Sequence, residues 1–205
     1  MGNFVVFEGL TASGKKTHIR ILKERLEKIG RKVVTLSFPD YENEIARITK
    51  KAGAFDPFTL SLLYAADRRF AQGKIKKFLE EGNIVISDRY CYSNFAYQSA
   101  NGVPLDWLYE LEKGIIKPEI GIFIDVPVEE TLVRVRMATL DEFTKKEIIS
   151  RIERQRDVLE KVREIYLKLI KEDRETKWLI INGTKSIAEN SEKIWNFVSN
   201  KLNLK

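Results

Sequence analysis

The sequence has one cysteine, Cys91, and one histidine, His18, among its 205 residues. A lone cysteine cannot close an internal disulfide bond, and neither residue is frequent enough to build a cysteine or histidine metal site. Any bound metal ion would therefore need oxygen ligands. A lone histidine on the first predicted helix is more often structural than catalytic, and we expect that role for His18.

Long apolar runs are also missing. No stretch approaches the roughly 18 consecutive apolar residues of a membrane-spanning helix, and the first strand is predicted to begin at Asn3, which leaves no room for a secretory leader. We therefore expect a cytoplasmic protein without a membrane partner.

The hydrophobic share of 43% is enough for a substantial core, and a length of 205 residues is typical of one domain. Residues 1–205 are predicted to form a single domain.

Acidic residues are fewer than basic ones, since 30 Asp and Glu against 36 Lys and Arg give a net charge of +6 and a pI near 9.2. This charge suits a polyanion, which could be a nucleic acid or a nucleotide. The basic residues alternate with glutamate along predicted helices, as in the segment 151–164, which is typical of solvated helix faces and not of a basic tail. We therefore expect no nucleic-acid partner.

Five short runs rich in β-branched and apolar residues are predicted to be strands, at 4–8, 32–37, 83–87, 120–126 and 178–182. Segments with helical periodicity separate them. Strands that alternate with helices indicate an α/β protein, here a three-layer sandwich with a five-stranded parallel sheet flanked by helices. Ligands of such folds gather at the carboxyl ends of the strands.

A charged stretch from Lys145 to Arg174 carries apolar residues at mostly three- and four-residue steps, so it is predicted to form one long helix or two abutting helices. The periodicity is weak just before it, from Met137 to Thr144. We interpret the segment around residues 137–150 as a short mobile lid.

A glycine-rich segment with the spacing G-x-x-x-x-G-K follows the first predicted strand and leads into a helix. In this spacing the glycines let backbone N–H groups surround an anion, the helix N-terminus adds partial positive charge, and the lysine reaches the outer phosphates. The strand before and the amphipathic helix after it are the context that this motif requires. We expect ATP to be bound by Gly9, Leu10, Thr11, Ala12, Ser13, Gly14, Lys15, Lys16 and Thr17.

The residue after Lys15 departs from the motif, because Lys16 stands where Ser or Thr usually binds magnesium. The side chain of Thr17 is rotated by about 100° around the helix axis relative to that of Lys16, so its hydroxyl cannot replace the missing one. Asp88 closes the apolar run 84–87 at the carboxyl end of a strand, where a magnesium-binding acid is often found. We expect Asp88, together with water, to hold Mg²⁺.

A second set of motifs points to the reaction. Asp88-Arg89-Tyr90 with Ser93, Ala96, Tyr97 and Gln98 reproduces the string D-R-Y-x-x-S-x-x-A-Y-Q of thymidylate kinases, and the segment 63–68 resembles their L-F-A-A-D-R, with Tyr64 in place of Phe. Further matches are collinear and cover nearly the whole chain. The sequence therefore resembles the thymidylate kinases, which are P-loop nucleoside monophosphate kinases. The resemblance implies Mg²⁺-dependent phosphoryl transfer from ATP to dTMP and a homodimer packed through helices.

The resemblance also implies an acceptor site for dTMP, made of Phe38, Pro39, Tyr64, Arg68, Arg89, Asn94 and Tyr97. Tyr64 offers a flat face on which a pyrimidine can stack, and Arg68, one helical turn later, could donate to a base carbonyl. Without the resemblance, the same two residues could be core filler and a surface ion pair. Tyr97 matches the family tyrosine that lies where a ribose 2′-hydroxyl would project, and Arg89 with Phe38-Pro39 would hold the monophosphate.

Phosphoryl transfer requires alignment of donor and acceptor and positive charge around the moving group. By resemblance, Lys15, Asp88 and Arg89 belong to the catalytic set. The phosphate loop has no arginine, so we expect the remaining charge from the lid, from Arg134 and Arg136, with Arg151 as a third candidate. For each of these three, an ordinary exposed helix arginine is the alternative.

Two further positions bear on the site. Thr11 replaces an acidic residue that in the family positions the sugar or the metal, and Glu8 could take part of that role. Asn182-Gly183-Thr184 resembles the family's loop that lies along the edge of the adenine of ATP.

Two other functions remain open from the sequence. The first is a related kinase with another acceptor, either a different monophosphate or a deoxynucleoside. The second is a non-catalytic nucleotide-binding or nucleic-acid-binding protein, which Lys16, Thr11 and the basic pI would favour. Against the second, a protein that had lost catalysis would have no need to retain Arg68, Asp88-Arg89-Tyr90 and Tyr97 together.

Overall fold

The computed structural model describes residues 2–50, 55–138 and 141–204, without the side chain of Arg151. Five strands run over β1 Asn3–Glu8, β2 Val33–Ser37, β3 Ile84–Asp88, β4 Ile120–Asp125 and β5 Lys177–Asn182. The helices of the described ranges are α1 Lys15–Lys28, α2 Glu44–Ile48, α3 Pro57–Phe70, α4 Gln72–Glu80, α5 Cys91–Ala100, α6 Leu105–Leu111, α7 Val128–Met137, α8 Glu142–Arg154, α9 Arg156–Glu172 and α10 Ile187–Lys201. Within these ranges, no helix has both the length and the apolar character to cross a membrane.

The five strands form one parallel sheet in the order β2-β3-β1-β4-β5. The predicted fold class is therefore confirmed, and each observed strand end lies within one residue of its predicted position. For β1, β3 and β4 the accuracy has a physical reason. These strands are buried on both faces, and such a strand needs an unbroken apolar run, which the sequence shows directly.

The central strand β1 separates two hydrophobic cores. Phe4 and Val6 belong to the core on one face of the sheet, and Val5 and Phe7 belong to the core on the other. This alternation follows from the two-residue period of a strand. Because β1 is buried on both faces and flanked by β3 and β4, the segment that follows Glu8 emerges in the middle of the sheet edge.

The strand order changes direction at β1, since the chain passes from β3 on one side of it to β4 on the other. Phe7 pairs in register with Asp88, so the carboxyl ends of β1 and β3 lie next to each other. Crevices at such a reversal are where α/β sheets bind ligands. The fold thus brings the segments after Glu8 and after Asp88 together.

The charged stretch near the lid forms two abutting helices, α8 and α9, which is one of the two predicted arrangements. The predicted lid, 137–150, includes the end of α7 and most of α8, so the described part of it is largely helical. Residues 139 and 140 lie outside the described residues.

Close packing of β4 against β5 gives a test of the fold. A β carbon at Gly121 would lie 2.3 Å from Cε3 of Trp178, so we expect Gly121→Ala to lower the free energy of unfolding by about 1–3 kcal/mol. Gly73, in α4, has nothing within 4 Å of a β carbon, and Gly73→Ala should be neutral or stabilising by up to about 1 kcal/mol. Urea unfolding measures both. Equal effects of the two substitutions would show that the β4–β5 contact is looser than described.

Candidate active site

The phosphate loop lies between β1 and α1 and has an unusual backbone. Gly9, Ala12 and Gly14 all have positive φ, at 145°, 57° and 102°. A β carbon at Gly9 would lie 2.7 Å from the carbonyl oxygen of Ile124, so the loop passes close against β4. Left-handed residues in such a loop turn backbone N–H groups inward as an anion-binding nest. The geometry therefore has the form that the motif predicts.

Lys15, the first residue of α1, is buried beneath this loop. Its Nζ donates to the carbonyl oxygens of Gly9, at 3.1 Å, and Leu10, at 2.9 Å. Burial, followed by the positive charge of Arg89, lowers the pKa of Lys15 to about 7. The side chain is therefore poised to gain a proton when an anion arrives beside it.

A cavity of about 1100 Å³ lies in front of the loop. Its walls come from the loop and the start of α1, from the ends of β2 and β3, and from α7, α8 and the segment after β5. Twelve predicted site residues line it: Thr11, Ala12, Ser13, Gly14, Lys15, Lys16, Thr17, Phe38, Pro39, Asp88, Arg89 and Arg134. The donor and acceptor sides of the predicted reaction thus share one cavity.

Glu8, at the end of β1, lies next to this cavity but is fully buried. Its carboxylate accepts hydrogen bonds from the backbone N–H of Tyr90, at 2.8 Å, and from the N–H and hydroxyl of Ser93, at 3.2 and 2.7 Å. The hydroxyl of Tyr166, on α9, donates to it at 2.8 Å. Both oxygens are occupied by protein groups, so the expected role of Glu8 towards sugar or metal is not supported by the geometry.

The bonds to Glu8 hold the segment that carries Arg89. This residue has a φ of 68°, which is uncommon for a side chain other than glycine, and its N–H donates to Phe7 at 2.9 Å. Its Nη1 donates to the Ser93 hydroxyl at 3.0 Å, and the guanidinium carbon lies 5.4 Å from the ring centroid of Tyr97. Nε and Nη2 have no hydrogen bond to any described residue, so they remain available to a phosphate on the cavity side.

Asp88, beside Arg89, has one carboxylate oxygen, Oδ1, that is buried without a hydrogen-bond partner in the described ranges. Buried carboxylate oxygens usually have a partner, and an absent cation is one common explanation. The residue also lines the cavity near Lys15. Its position and oxygen donor therefore fit Mg²⁺.

Tyr64, Arg68, Asn94 and Tyr97 are outside the set of described residues that line the cavity. Arg68 was expected on the same helix face as Tyr64, where it could donate to a base carbonyl, and the structure buries it at 3% exposure in an ion pair with Glu112. The position on the helix is as predicted, but α6 packs over it and the side chain turns inward. Of these four residues, Tyr97 lies beside Arg89, which does line the cavity.

A sequence model of the thymidylate kinase family matches residues 7–194. This chain belongs to the thymidylate kinase family. A probable thymidylate kinase of Sulfolobus acidocaldarius is 35% identical over 201 residues and covers 97% of each chain. One from Thermococcus kodakarensis is 37% identical over 196 residues, which is 90% of this chain and 91% of the relative.

Among solved structures, the thymidylate kinase of Candida albicans superposes with a TM-score of 0.80, over 100% of this chain and 94% of that one, at 24% identity. This likeness supports the fold. The sequence matches confirm that the chain is a dTMP kinase by family.

The two lid arginines predicted for catalysis lie in different surroundings. Arg134 lines the cavity, and it donates to the carbonyl oxygen of Ser13 at 3.0 Å and to that of Gly183. It therefore links the phosphate loop to the loop after β5. Arg136 is exposed, pairs with Glu153 at 3.4 Å and does not belong to the described lining of the cavity. The side chain of Arg151 lies outside the described part of the chain.

His18 has the surroundings of a structural residue. It is buried, and its Nδ1 lies 3.0 Å from the hydroxyl of Ser191 on α10. Burial, with the nearby charge of Arg134, lowers its pKa, so it is neutral at pH 7. A neutral imidazole bonded to the neighbouring helix explains its presence on α1.

Sequence reasoning missed the partners of the predicted residues. Glu112 was not singled out, although it holds Arg68 and contacts Asn94. No role in the site was predicted for Tyr166, although its hydroxyl completes the bonds to Glu8. These contacts join residues 44, 18 and 158 positions apart, and no local periodicity reports such pairs.

The lowered pKa of Lys15 gives a test of the site. At pH 8 most free enzyme carries a neutral Lys15, whereas the phosphates of ATP raise its pKa and draw in a proton. We expect ATP binding at pH 8 to take up a proton and ATP affinity to fall as the pH rises above about 7. Titration calorimetry in buffers of different ionisation enthalpy measures the uptake.

Lys15→Arg is the control for this test, because a guanidinium stays charged at pH 8 and takes up nothing. Equal proton uptake by the wild type and Lys15→Arg, or none by the wild type, would contradict the assignment.

Proposed function

We propose that this kinase moves the γ-phosphoryl group of ATP onto dTMP inside the cavity at the carboxyl ends of β1 and β3. The observation that carries this proposal is the presence of Lys15 and Arg89 in one cavity, held by neighbouring strands. Lys15 belongs to the loop that takes the donor phosphates. Arg89, with Phe38 and Pro39, is placed for the acceptor phosphate.

Catalysis here depends on the alignment of donor and acceptor and on positive charge, because phosphoryl transfer requires little covalent chemistry from the protein. Lys15 would neutralise the charge that develops on the β- and γ-phosphates. Arg89 would hold the acceptor phosphate in line, through the nitrogens that the protein leaves free. Arg134 and the exposed Lys16 add positive charge at the cavity wall. Arg136 would join them only if the lid carried it inward.

We assign magnesium binding to Asp88. Among the described residues, no three His, Cys, Asp or Glu side chains come together as a metal cluster. Mg²⁺ does not need such a cluster, since it commonly binds one or two carboxylates and completes its coordination shell with water and substrate phosphates. When bound, it would supply further charge neutralisation at the phosphates of ATP.

Two observations bear on the alternatives. A cavity that presents Arg89 favours a monophosphate acceptor over a nucleoside, which has no phosphate to hold. A non-catalytic protein would not need the buried bonds that hold Arg89 in a strained backbone conformation. We therefore prefer a dTMP kinase to a nucleoside kinase or a binding protein.

We also propose that the enzyme is a single-domain homodimer that acts in the cytoplasm. Phe58, Leu62, Ala66 and Phe70 recur every fourth residue along α3, and all four are exposed, with Phe70 at 69%. Such a stripe on one helix is typical of an interface. A solution mass of twice 23.8 kDa, measured by sedimentation, would support the dimer, and a mass of 23.8 kDa would refute it.

Turnover of ATP with dTMP, dUMP, dCMP, dGMP and thymidine tests the function directly. We expect the highest kcat/KM with dTMP and no phosphorylation of thymidine, because Arg89 then has no acceptor phosphate to bind. A preference for thymidine would indicate a nucleoside kinase. Absence of turnover with every acceptor would favour the non-catalytic alternative.

Substitutions at Lys16 and Asp88 test how the site works without the usual hydroxyl. We expect Asp88→Asn to lower kcat by about a hundredfold or more, since loss of a charge near the phosphates costs several kcal/mol and each 1.36 kcal/mol is about tenfold. Lys16→Thr should change kcat only modestly, because Lys16 is not needed to bind the metal. Magnesium titrations of kcat measure both. An inactive wild type rescued by Lys16→Thr would contradict this arrangement.

A further inference from the structure

We propose that Glu112 is a positioning residue that makes the enzyme prefer thymine over cytosine, by fixing which way the Asn94 amide faces. The proposal rests on the proposed function and on the family resemblance, which implies that Arg68 and Asn94 belong to the dTMP site. It adds a residue that touches neither substrate but decides what Asn94 can recognise.

Glu112 lies just after α6 and is 1% exposed. Its carboxylate accepts from Nε of Arg68, at 3.0 and 3.1 Å to the two oxygens, and also from Nη2. The same Oε1 accepts from Nδ2 of Asn94 at 3.2 Å. One buried carboxylate therefore holds both residues expected to contact the base.

The orientation of the Asn94 amide follows from the chemistry of its neighbours. Nδ2 lies 3.2 Å from the backbone carbonyl oxygen of Ser61 and 3.2 Å from Oε1 of Glu112. A carbonyl oxygen accepts only, and so does a carboxylate paired with a guanidinium. The flipped amide would set Oδ1 against two acceptors. Asn94 must therefore direct its NH₂ at these groups and keep Oδ1 for something else.

Oδ1 of Asn94 is buried and has no hydrogen-bond partner in the described part of the chain. A buried acceptor without a donor is uncommon and calls for an explanation, and a ligand that donates to it is one. The hydroxyl of Tyr97, also expected at the acceptor site, is buried without a partner among the same residues. Two residues of the expected dTMP site therefore carry polar atoms that a bound nucleotide could pair.

The two residues then present a fixed pattern. Arg68 can only donate, and its Nη1 makes no hydrogen bond to a described residue. Asn94 can only accept, through Oδ1. Thymine and uracil carry a carbonyl at C4 and an N–H at N3, which match a donor beside an acceptor. Cytosine carries an amino group at C4 and an acceptor at N3. The donor of Arg68 would then face a donor, the acceptor of Asn94 would face an acceptor, and these buried groups would stay unpaired.

Replacement of Glu112 by glutamine should weaken this constraint. A glutamine at 112 has one acceptor and one donor in place of two acceptors, so a flipped Asn94 amide would set Oδ1 against a single acceptor, the carbonyl oxygen of Ser61, instead of two. A merely structural role of Glu112 would lower activity towards all acceptors alike. The ratio of kcat/KM for dTMP to that for dCMP therefore separates the two roles.

We expect Glu112→Gln to lower this ratio by at least about tenfold, mainly through a higher KM for dTMP and a lower KM for dCMP, with the KM for ATP unchanged. Glu110→Gln is the matched control. It is the same chemical change two residues earlier, on an exposed glutamate paired with Lys113, and should leave the ratio unchanged. An unchanged ratio in Glu112→Gln would overturn the proposal even if its activity fell.

A second measurement does not depend on whether Glu112→Gln folds. Wild-type enzyme should bind N3-methyl-dTMP at least about tenfold more weakly than dTMP, because the methyl group removes the N–H that Oδ1 of Asn94 accepts. Equal binding of the two would overturn the proposal. Failure of the wild type to phosphorylate dTMP at all would instead count against the proposed function.

Discussion

One buried carboxylate holds the catalytic part of this molecule together. Glu8 ends the central strand and accepts four hydrogen bonds, from Tyr90, from the N–H and hydroxyl of Ser93, and from Tyr166. Burial raises the pKa of Glu8, while the nearby charge of Arg89 and the hydrogen bonds oppose that rise. These contacts bring β1, the turn after β3 and helix α9 to one point. Removing the carboxylate would leave buried donors unpaired, which costs more than the bonds themselves contribute.

The same contacts explain how Arg89 can be held beside Lys15, although two cations repel each other in a buried site. The left-handed backbone of Arg89 is fixed by Phe7, and its guanidinium is held on one side by Ser93 and Tyr97. Repulsion and burial lower the pKa of Lys15 to about 7. On the proposed function, phosphates that enter between the two cations would relieve this unfavourable arrangement. The free enzyme is therefore organised for the charge of the bound substrates.

Much of this could be predicted from the sequence, because it is encoded locally. Buried strands appear as apolar runs, so the sheet is as expected, and the fixed glycine spacing marks the loop whose residues Thr11 to Thr17 line the cavity. Contacts between distant segments are not encoded in that way. Arg68 lies at its predicted helical position, but only the packing of α6 shows that Glu112 buries it. Arg134 and Arg136 are two residues apart, and the direction of α7 sends one to the cavity and the other to solvent.

The central claim is that Lys15 and Arg89 bind the donor and acceptor phosphates on two sides of one transfer path. A crystal structure with ADP and dTMP tests it most directly. We predict the β-phosphate of ADP within hydrogen-bond distance of Lys15, and the phosphate of dTMP within hydrogen-bond distance of Nε or Nη2 of Arg89. A dTMP phosphate bound away from Arg89, or both phosphates gathered on the same side of the phosphate loop, would contradict the claim.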